Sequence, residues 1–440
     1  MSKTFCSIPW NFQAIRNNGD IRVCCQANVT KNQGVVRHKD GTPYNAGKHS
    51  MAMARNAPLM KTMRKNMLNG IWSDECYRCK QEEEVGLTSR RQYEALEWKY
   101  SIEEAKRVTG IDGTIDLEEA PAVYYDLRFG NLCNLKCRMC GPTDSHSWYE
   151  DWTGYHKEQG FEDTHGYVQL NRNAKGRLHT TDYDWHNSKR FWDSIEKNLS
   201  NIQHVYMAGG EPMMIERHYE FLEKCVKKGV AENIIIEYNT NMTSLPPRVL
   251  EYWKSFKQVR IGASIDGMGK VLEYQRHPIK WQQAKKNLDK IDQLCQERNN
   301  IVAWLGFTVT AYNIWHLPEF MQWKVKSSGW KKINSYKSKP VITHHVAHGP
   351  KRTNVRILPK PMKEQLEAYF NSWKGIYAQE FDELREEKAC KILDSVLQYT
   401  VAEDYTDKLP EFVQFTKYLD KARGQNIVDV VPRYKEFFNE

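Results

Sequence analysis

Three cysteines, Cys133, Cys137 and Cys140, stand in the run Leu132-Cys133-Asn134-Leu135-Lys136-Cys137-Arg138-Met139-Cys140-Gly141. Gaps of three and then two residues put three thiols on one tight loop. A [4Fe–4S] cube normally takes four cysteine thiolates. Three local ligands with no obvious fourth nearby leave one iron open to a small molecule. The spacing therefore points to a cluster that acts as a reagent rather than as an electron wire. The competing reading is a structural zinc loop, but zinc sites favour CxxC pairs with four ligands.

Composition narrows the setting. The 440 residues allow one large domain or two to three ordinary ones. Charged residues make up 27% and hydrophobic residues 40%, as in soluble globular proteins. The start, Met1-Ser2-Lys3-Thr4-Phe5-Cys6, has no apolar signal-peptide core. No stretch is long and apolar enough to span a bilayer, so a cytoplasmic protein without a membrane partner is expected. Cytosolic thiols stay reduced, and clustered spacing among the 11 cysteines argues for metal or iron–sulfur ligation. The net charge of +9 favours an anionic partner: an acidic peptide, a phosphate-bearing compound or an acidic electron donor. Lys and Arg are scattered rather than blocked, so nucleic acid is not the expected partner.

The chain reads as three regions. Residues 1–110 hold five cysteines, a Gly19-Asp20 turn, an Asn-, Gly- and Lys-rich loop from Asn28 to Lys48, and helical stretches Met51–Gly70 and Ser89–Val108. Thr109–Ala120 reads as a linker. Residues 121–355 alternate short apolar runs (Val123–Phe129, His204–Ala208, Ile234–Tyr238, Val259–Ile265, Val302–Val309, Val341–Val346) with helical segments such as Arg217–Lys228, Trp281–Arg298 and Leu317–Ser327. That alternation predicts parallel β/α units, and six strands predict a partial rather than a closed barrel. Residues 143–189 form an insertion, read as a lid. Residues 356–440 read as a helical extension (Met362–Trp373, Gln379–Gln398, Glu411–Ala422).

Several motifs in order then carry a resemblance. Cys133-x3-Cys137-x2-Cys140 follows the first strand. Gly209-Gly210-Glu211-Pro212 follows the second, Asn239-Thr240-Asn241 ends the third, and Ser264-Ile265-Asp266-Gly267 ends the fourth with Arg276 downstream. Thr308-Val309-Thr310 ends the fifth. The chain resembles the radical S-adenosylmethionine (SAM) superfamily over Val123–Val346. The resemblance implies an α/β fold, a partial (β/α)6 TIM-like barrel of the radical SAM type, with an N-terminal cysteine-rich α+β domain and a helical C-terminal extension. It implies that Cys133, Cys137 and Cys140 hold a catalytic cluster whose open iron is chelated by the amine and carboxylate of SAM. Gly209, Gly210, Glu211 and Pro212 would face the amine. Asn239, Asn241, Ser264, Asp266 and Thr310 would face the ribose and carboxylate, and Arg276 would pair with the carboxylate. Met139 replaces the aromatic residue common before the third cysteine and would pack on adenine. The implied reaction is reductive cleavage of SAM to a 5′-deoxyadenosyl radical that abstracts hydrogen from a substrate C–H, with the cofactors carrying the hard chemistry.

Cys6, Cys24, Cys25, Cys76 and Cys79 form a second constellation. Asn17-Asn18-Gly19-Asp20 reads as a hairpin turn returning to Cys24-Cys25, and Cys76-Tyr77-Arg78-Cys79 is a CxxC followed by Gly86. The set is similar to the twitch or SPASM accessory domains of radical SAM enzymes, here placed before the barrel, which implies one auxiliary [4Fe–4S] cluster. One of Cys24 and Cys25 is then spare. An all-thiolate zinc site is the alternative. Cys225, Cys295 and Cys390 read as structural, and Trp148, Tyr149, Trp152 and Tyr155 as helix packing. The expected substrate is a peptide or protein side chain, the alternative a sugar, nucleotide or amino acid, with flavodoxin or ferredoxin as electron donor. A non-catalytic iron–sulfur or zinc scaffold is the reading from another class.

Overall fold

The computed structural model describes residues 4–27, 34–84, 88–159, 168–334, 341–377 and 383–438. Residues 28–33 of the Asn28–Lys48 loop, Gly86, residues 160–167 of the insertion and the start of the Gln379–Gln398 helix lie outside them. The chain divides into two compact units. One gathers residues 1–132, 180–237 and 251–258; the other gathers 133–179, 238–250 and 259–440.

The strands are β1 (Phe12–Ile15), β2 (Ile21–Arg22), β3 (Tyr124–Arg128), β4 (Asn171–Arg172), β5 (Leu178–His179), β6 (His204–Ala208), β7 (Ile235–Thr240), β8 (Gln258–Ser264), β9 (Ile301–Val309) and β10 (Thr343–Val346). All six expected strands form, within a few residues of their predicted ends, because each apolar run is short, β-branched or aromatic, and bounded by turn residues.

In the first unit the strand order is β6-β3-β1-β2. Tyr124 pairs with His204 and Arg128 with Ala208 in parallel register. Phe12–Ile15 pairs in parallel with Tyr124–Leu127, a strand the sequence reading did not include. The hairpin expected at Asn17–Asp20 forms, with Ala14 opposite Arg22. Its Gly19 has φ +87°, and a Cβ there would sit 2.7 Å from Trp185, so glycine is required on both counts.

Two buried arginines knit this region to main-chain carbonyls. Arg64 donates to Pro9 O at 3.1 Å and Gly113 O at 2.6 Å, and Arg55 donates to Trp10 O. Thr109–Ala120 is therefore no loose linker. Trp10 Nε1 bonds Thr109 Oγ1 at 2.7 Å, and Gly113, φ +85°, lies so close to Lys61 that a Cβ would meet its carbonyl oxygen at 2.2 Å. The helix expected over Ser89–Val108 is two helices, Arg90–Trp98 and Ile102–Arg107. Lys99 adopts the left-handed conformation between them, and Ser101 opens a new capping box with Glu104.

In the second unit β8, β9 and β10 are parallel neighbours. β9 alternates buried and half-buried along its length, the period-2 signature of a strand with two unlike faces. The helices Lys360–Tyr377, Glu383–Ala402 and Leu409–Arg423 make up the helical extension. Trp148, Trp152 and Tyr155 form a buried cluster with Phe415 and Leu419, so these aromatics pack a helix interface, as their helical spacing implied.

Candidate active site

The cysteine loop is fixed by its main chain. Lys136 N donates to His277 O and Arg138 N to Gln275 O, both at 2.8 Å, and Cys140 N donates to Cys137 O at 2.9 Å. Trp148 Nε1 donates to Cys137 O at 3.0 Å, Ser147 Oγ to Cys133 O at 2.7 Å, and Cys133 N to His146 Nδ1 at 3.1 Å. With its backbone groups satisfied, the loop presents side chains from a rigid frame.

Donors also reach the sulfurs. Asn241 Nδ2 lies 3.8 Å from Cys133 Sγ, Leu135 N lies 3.5 Å from the same atom, and Arg276 Nη1 lies 3.8 Å from Cys137 Sγ. The hydrogen bond from Cys140 holds the Cys137 thiol below its usual range against the opposing effect of burial, and the Arg276 guanidinium helps. The same hydrogen bond, with burial, pushes Cys140 well up.

The charged residues inside the motif are anchored as well. Arg138 is fully buried, its guanidinium 3.6 Å from the Tyr274 ring centroid. It bonds Tyr274 O at 3.2 Å, Gln425 Oε1 at 3.0 Å and the Asp420 carboxylate. Lys136 pairs with Asp151 at 2.7 Å, and Asp151 pairs in turn with Arg423 at 2.8 Å. Sequence reasoning missed Arg138, His146, Asp151, Asp420 and Arg423. The one available signal was two cations, Lys136 and Arg138, inside a run otherwise fit for burial.

The remaining predicted residues divide between the units. In the second, Asp266 is fully buried. It pairs with Arg276 Nε at 2.6 Å and accepts Thr308 N at 2.7 Å, so the two side chains expected at the SAM carboxylate are engaged with each other. Thr310 Oγ1 donates to Gln275 Oε1 at 3.0 Å. Asn241 Nδ2 also bonds Asn134 Oδ1 at 3.0 Å. Ser264 ends β8 half-buried, Met139 is half-buried on the loop, and Asn239 is exposed on β7. Gly262 leaves space for Asn239, whose Oδ1 would lie 2.5 Å from a Cβ at that position.

In the first unit Gly209 and Gly210 have φ +77° and +46°. A Cβ on Gly210 would lie 2.3 Å from Leu132 O, and Glu211 N donates to that oxygen at 2.8 Å. The turn is therefore pressed onto the residue immediately before Cys133, an approach only glycine permits. The Glu211 carboxylate caps the following turn through Met213 N at 3.1 Å, with Pro212 at its start.

The five N-terminal cysteines also belong to the first unit. Cys6 is buried beside Phe5, whose carbonyl accepts Arg91 Nη1 at 3.0 Å. Arg78 Nη1 ties the CxxC helix to Gln26 Oε1 at 3.0 Å. Burial pushes all five thiols up, Cys24 to about 12. Like-charge repulsion adds to this: Cys6 feels Cys24 and Cys76, Cys24 feels Cys25 and Cys79, and Cys76 feels Cys24 and Cys79. Cys25 instead faces Arg90, Asp126 and Arg128. Among the described residues no three His, Cys, Asp or Glu side chains converge tightly enough to hold one metal ion. Cys225 and Cys295 are buried, with thiols raised to about 12, in keeping with a structural role.

Residues 127–310 match the Radical SAM superfamily. The matched stretch holds Cys133, Cys137 and Cys140 as well as every expected SAM contact, and a domain of this kind supports an enzyme. Such a domain implies a [4Fe–4S] cluster and SAM. Solved structures similar to the chain include anSMEcpe with bound AdoMet and Cp18Cys peptide, at 14% identity over 59% of this chain and 62% of that one, TM-score 0.34. SuiB of Streptococcus suis bound to precursor peptide SuiA matches at 14% identity over 63% and 56%, TM-score 0.28. SuiB bound to S-adenosylmethionine matches at 14% identity over 72% and 62%, TM-score 0.32. The chain thus spans less than two thirds of the length of each. No curated protein sequence matches it. No helix among the described residues is long and apolar enough to cross a membrane.

Proposed function

We propose that the protein modifies a peptide or protein side chain by radical SAM chemistry, with a second, auxiliary cluster in its N-terminal region. The observation that carries this reading is the set of three thiols on one backbone-locked loop, with Asn241 and Arg276 reaching the sulfurs of Cys133 and Cys137. Cys133, Cys137 and Cys140 would hold the catalytic cube, the loop offering it three thiolates. When bound, the cluster and SAM supply a carbon radical that takes a hydrogen atom from the substrate.

The chain's own residues do the rest. Arg276 offsets negative charge at Cys137, Asn241 donates to Cys133, and the Gly209–Gly210 main chain offers carbonyls to an amine. Cys6, Cys24, Cys76 and Cys79 hold the auxiliary cube, which leaves Cys25 as the spare cysteine. Their neutral, buried thiols lose protons as metal enters.

The test is anaerobic reconstitution followed by electron paramagnetic resonance of the reduced protein. Adding SAM is expected to change the cluster signal, and dithionite with SAM is expected to release 5′-deoxyadenosine. An unaltered signal and no nucleoside would sink the reading.

A further inference from the structure

The first unit carries a polar sheet face that borders the N-terminal cysteines at Cys25. Side chains alternate across β3. Tyr124 stacks on His204 at 4.4 Å and meets Phe12 at 4.6 Å, so Tyr124, Asp126 and Arg128 share one face with His204 and Tyr206. Ala14 stands opposite Asp126, and Tyr206 stands opposite it on the other side. Sheet interiors are normally apolar, and a charged pair here needs a reason.

Asp126 is 3% exposed, and its Oδ1 has no hydrogen-bond partner of normal length. Its nearest cation is Arg128 Nε at 3.4 Å. Arg128 ends β3, yet its side chain is 35% accessible. Asp126 engages the guanidinium at its base and keeps it charged, while the two Nη groups at its tip make no hydrogen bond among the described residues. Such a fork matches a carboxylate in plane and spacing, giving two parallel hydrogen bonds. Gly209 packs on the Arg128 backbone, where a Cβ would lie 2.8 Å from its carbonyl carbon, so the fork stands next to the Gly-Gly turn.

We propose that Arg128 is a substrate-anchoring residue: its Nη fork takes a carboxylate of the substrate, and Asp126 is the positioning residue that orients it. Calling the ligand a substrate rests on the radical SAM reading; the carboxylate site itself does not. The net charge of +9 draws such anions toward the protein.

The test is calorimetry on the reconstituted protein with three probes: acetyl-Gly-Glu-Gly-amide, its Gln counterpart, and glutarate. The Glu peptide is expected to bind at least about tenfold more tightly than the Gln peptide. Arg128→Gln is expected to erase that preference, Arg128→Lys to weaken it by loss of the fork, and Asp126→Asn to weaken it with the guanidinium retained. Glutarate binding as tightly as the Glu peptide assigns the site to free carboxylates; weaker binding assigns it to acidic side chains in a peptide.

Equal binding of the Glu and Gln peptides, or none by any probe, overturns the proposal. So does a preference that survives in Arg128→Gln. If Arg128→Gln lowers SAM affinity by the same factor as peptide affinity, the fork belongs to SAM's own carboxylate and the proposal fails. Thermal melts of Arg128→Lys keep misfolding apart from lost recognition. Failure of the radical SAM reading would appear separately, as a wild-type cluster signal indifferent to SAM.

Discussion

The two cysteine constellations solve opposite problems. The Cys133–Cys140 loop supplies three thiols from eight consecutive residues, and most of its surroundings are hydrogen bonds that fix the backbone and a cation that offsets charge at Cys137. The N-terminal set gathers its sulfurs from three distant segments, around Cys6, Cys24 and Cys76, where burial outweighs the nearby arginines and mutual repulsion adds to it. A three-ligand site must hold its shape without a fourth anchor, so second-layer hydrogen bonds carry its geometry. A four-ligand site can leave geometry to the metal, which then acts as the cross-link between segments.

The largest expected effect separates the sites by iron content. Cys133→Ala is expected to lose about four irons per chain and all 5′-deoxyadenosine release, while keeping the N-terminal iron. Cys76→Ala is expected to lose the other four and to lower the melting temperature, because it removes a cross-link. Cys25→Ala is expected to keep all the iron. Equal losses in Cys25→Ala and Cys24→Ala would break the assignment of the spare cysteine.

Next comes the frame of the three-ligand loop. Asp420→Ala leaves the fully buried Arg138 without its carboxylate, at a cost of about 3–5 kcal/mol, measured by denaturant unfolding of the metal-free protein. A cost below about 1 kcal/mol would mean that the loop does not depend on the C-terminal helix.

The acid response should be gentler. His277, beside the loop, is lowered to about 4, chiefly by burial and then by Arg423 and Lys136. Its unfolded value is about 6.5, so the unfolded chain binds more protons between those values. Stability is therefore expected to be fully present above about pH 6.5 and to fall as the pH drops toward 4. His277→Gln should flatten that fall in urea titrations across the window.

Arg276→Gln should shift iron loading of the catalytic loop to higher pH, since Arg276 helps hold the Cys137 thiol down, without moving loading of the N-terminal site. At the bottom of the scale, breaking the exposed Lys189–Asp193 pair should cost no more than about 0.3–0.5 kcal/mol.

Local patterns were legible in the sequence; partnerships across distance were not. His204–Ala208 could be read to the residue because its apolar run ends at Gly209-Gly210. The hairpin at Asn17–Asp20 announced itself by turn chemistry. Phe12–Ile15 was missed because it pairs with a strand more than 100 residues away and is too short to signal alone. The helix over Ser89–Val108 was overextended because Lys99 adopts a left-handed backbone that its identity does not advertise. Asp266 and Arg276 were chosen as separate ligand contacts; their mutual ion pair follows from the β8 end meeting the following helix, a tertiary fact. The Asp151, Asp420 and Arg423 anchors come from segments with no motif.

The bond between Arg138 and Asp420 spans 282 residues of chain. A ribosome adding about 5–20 residues per second needs about 14–56 s to cover that distance. Throughout that interval the newborn cysteine loop lacks its anchors from the far end of the polypeptide. The frame that holds Arg138 inside the cysteine loop is therefore complete only after synthesis has passed Gln425.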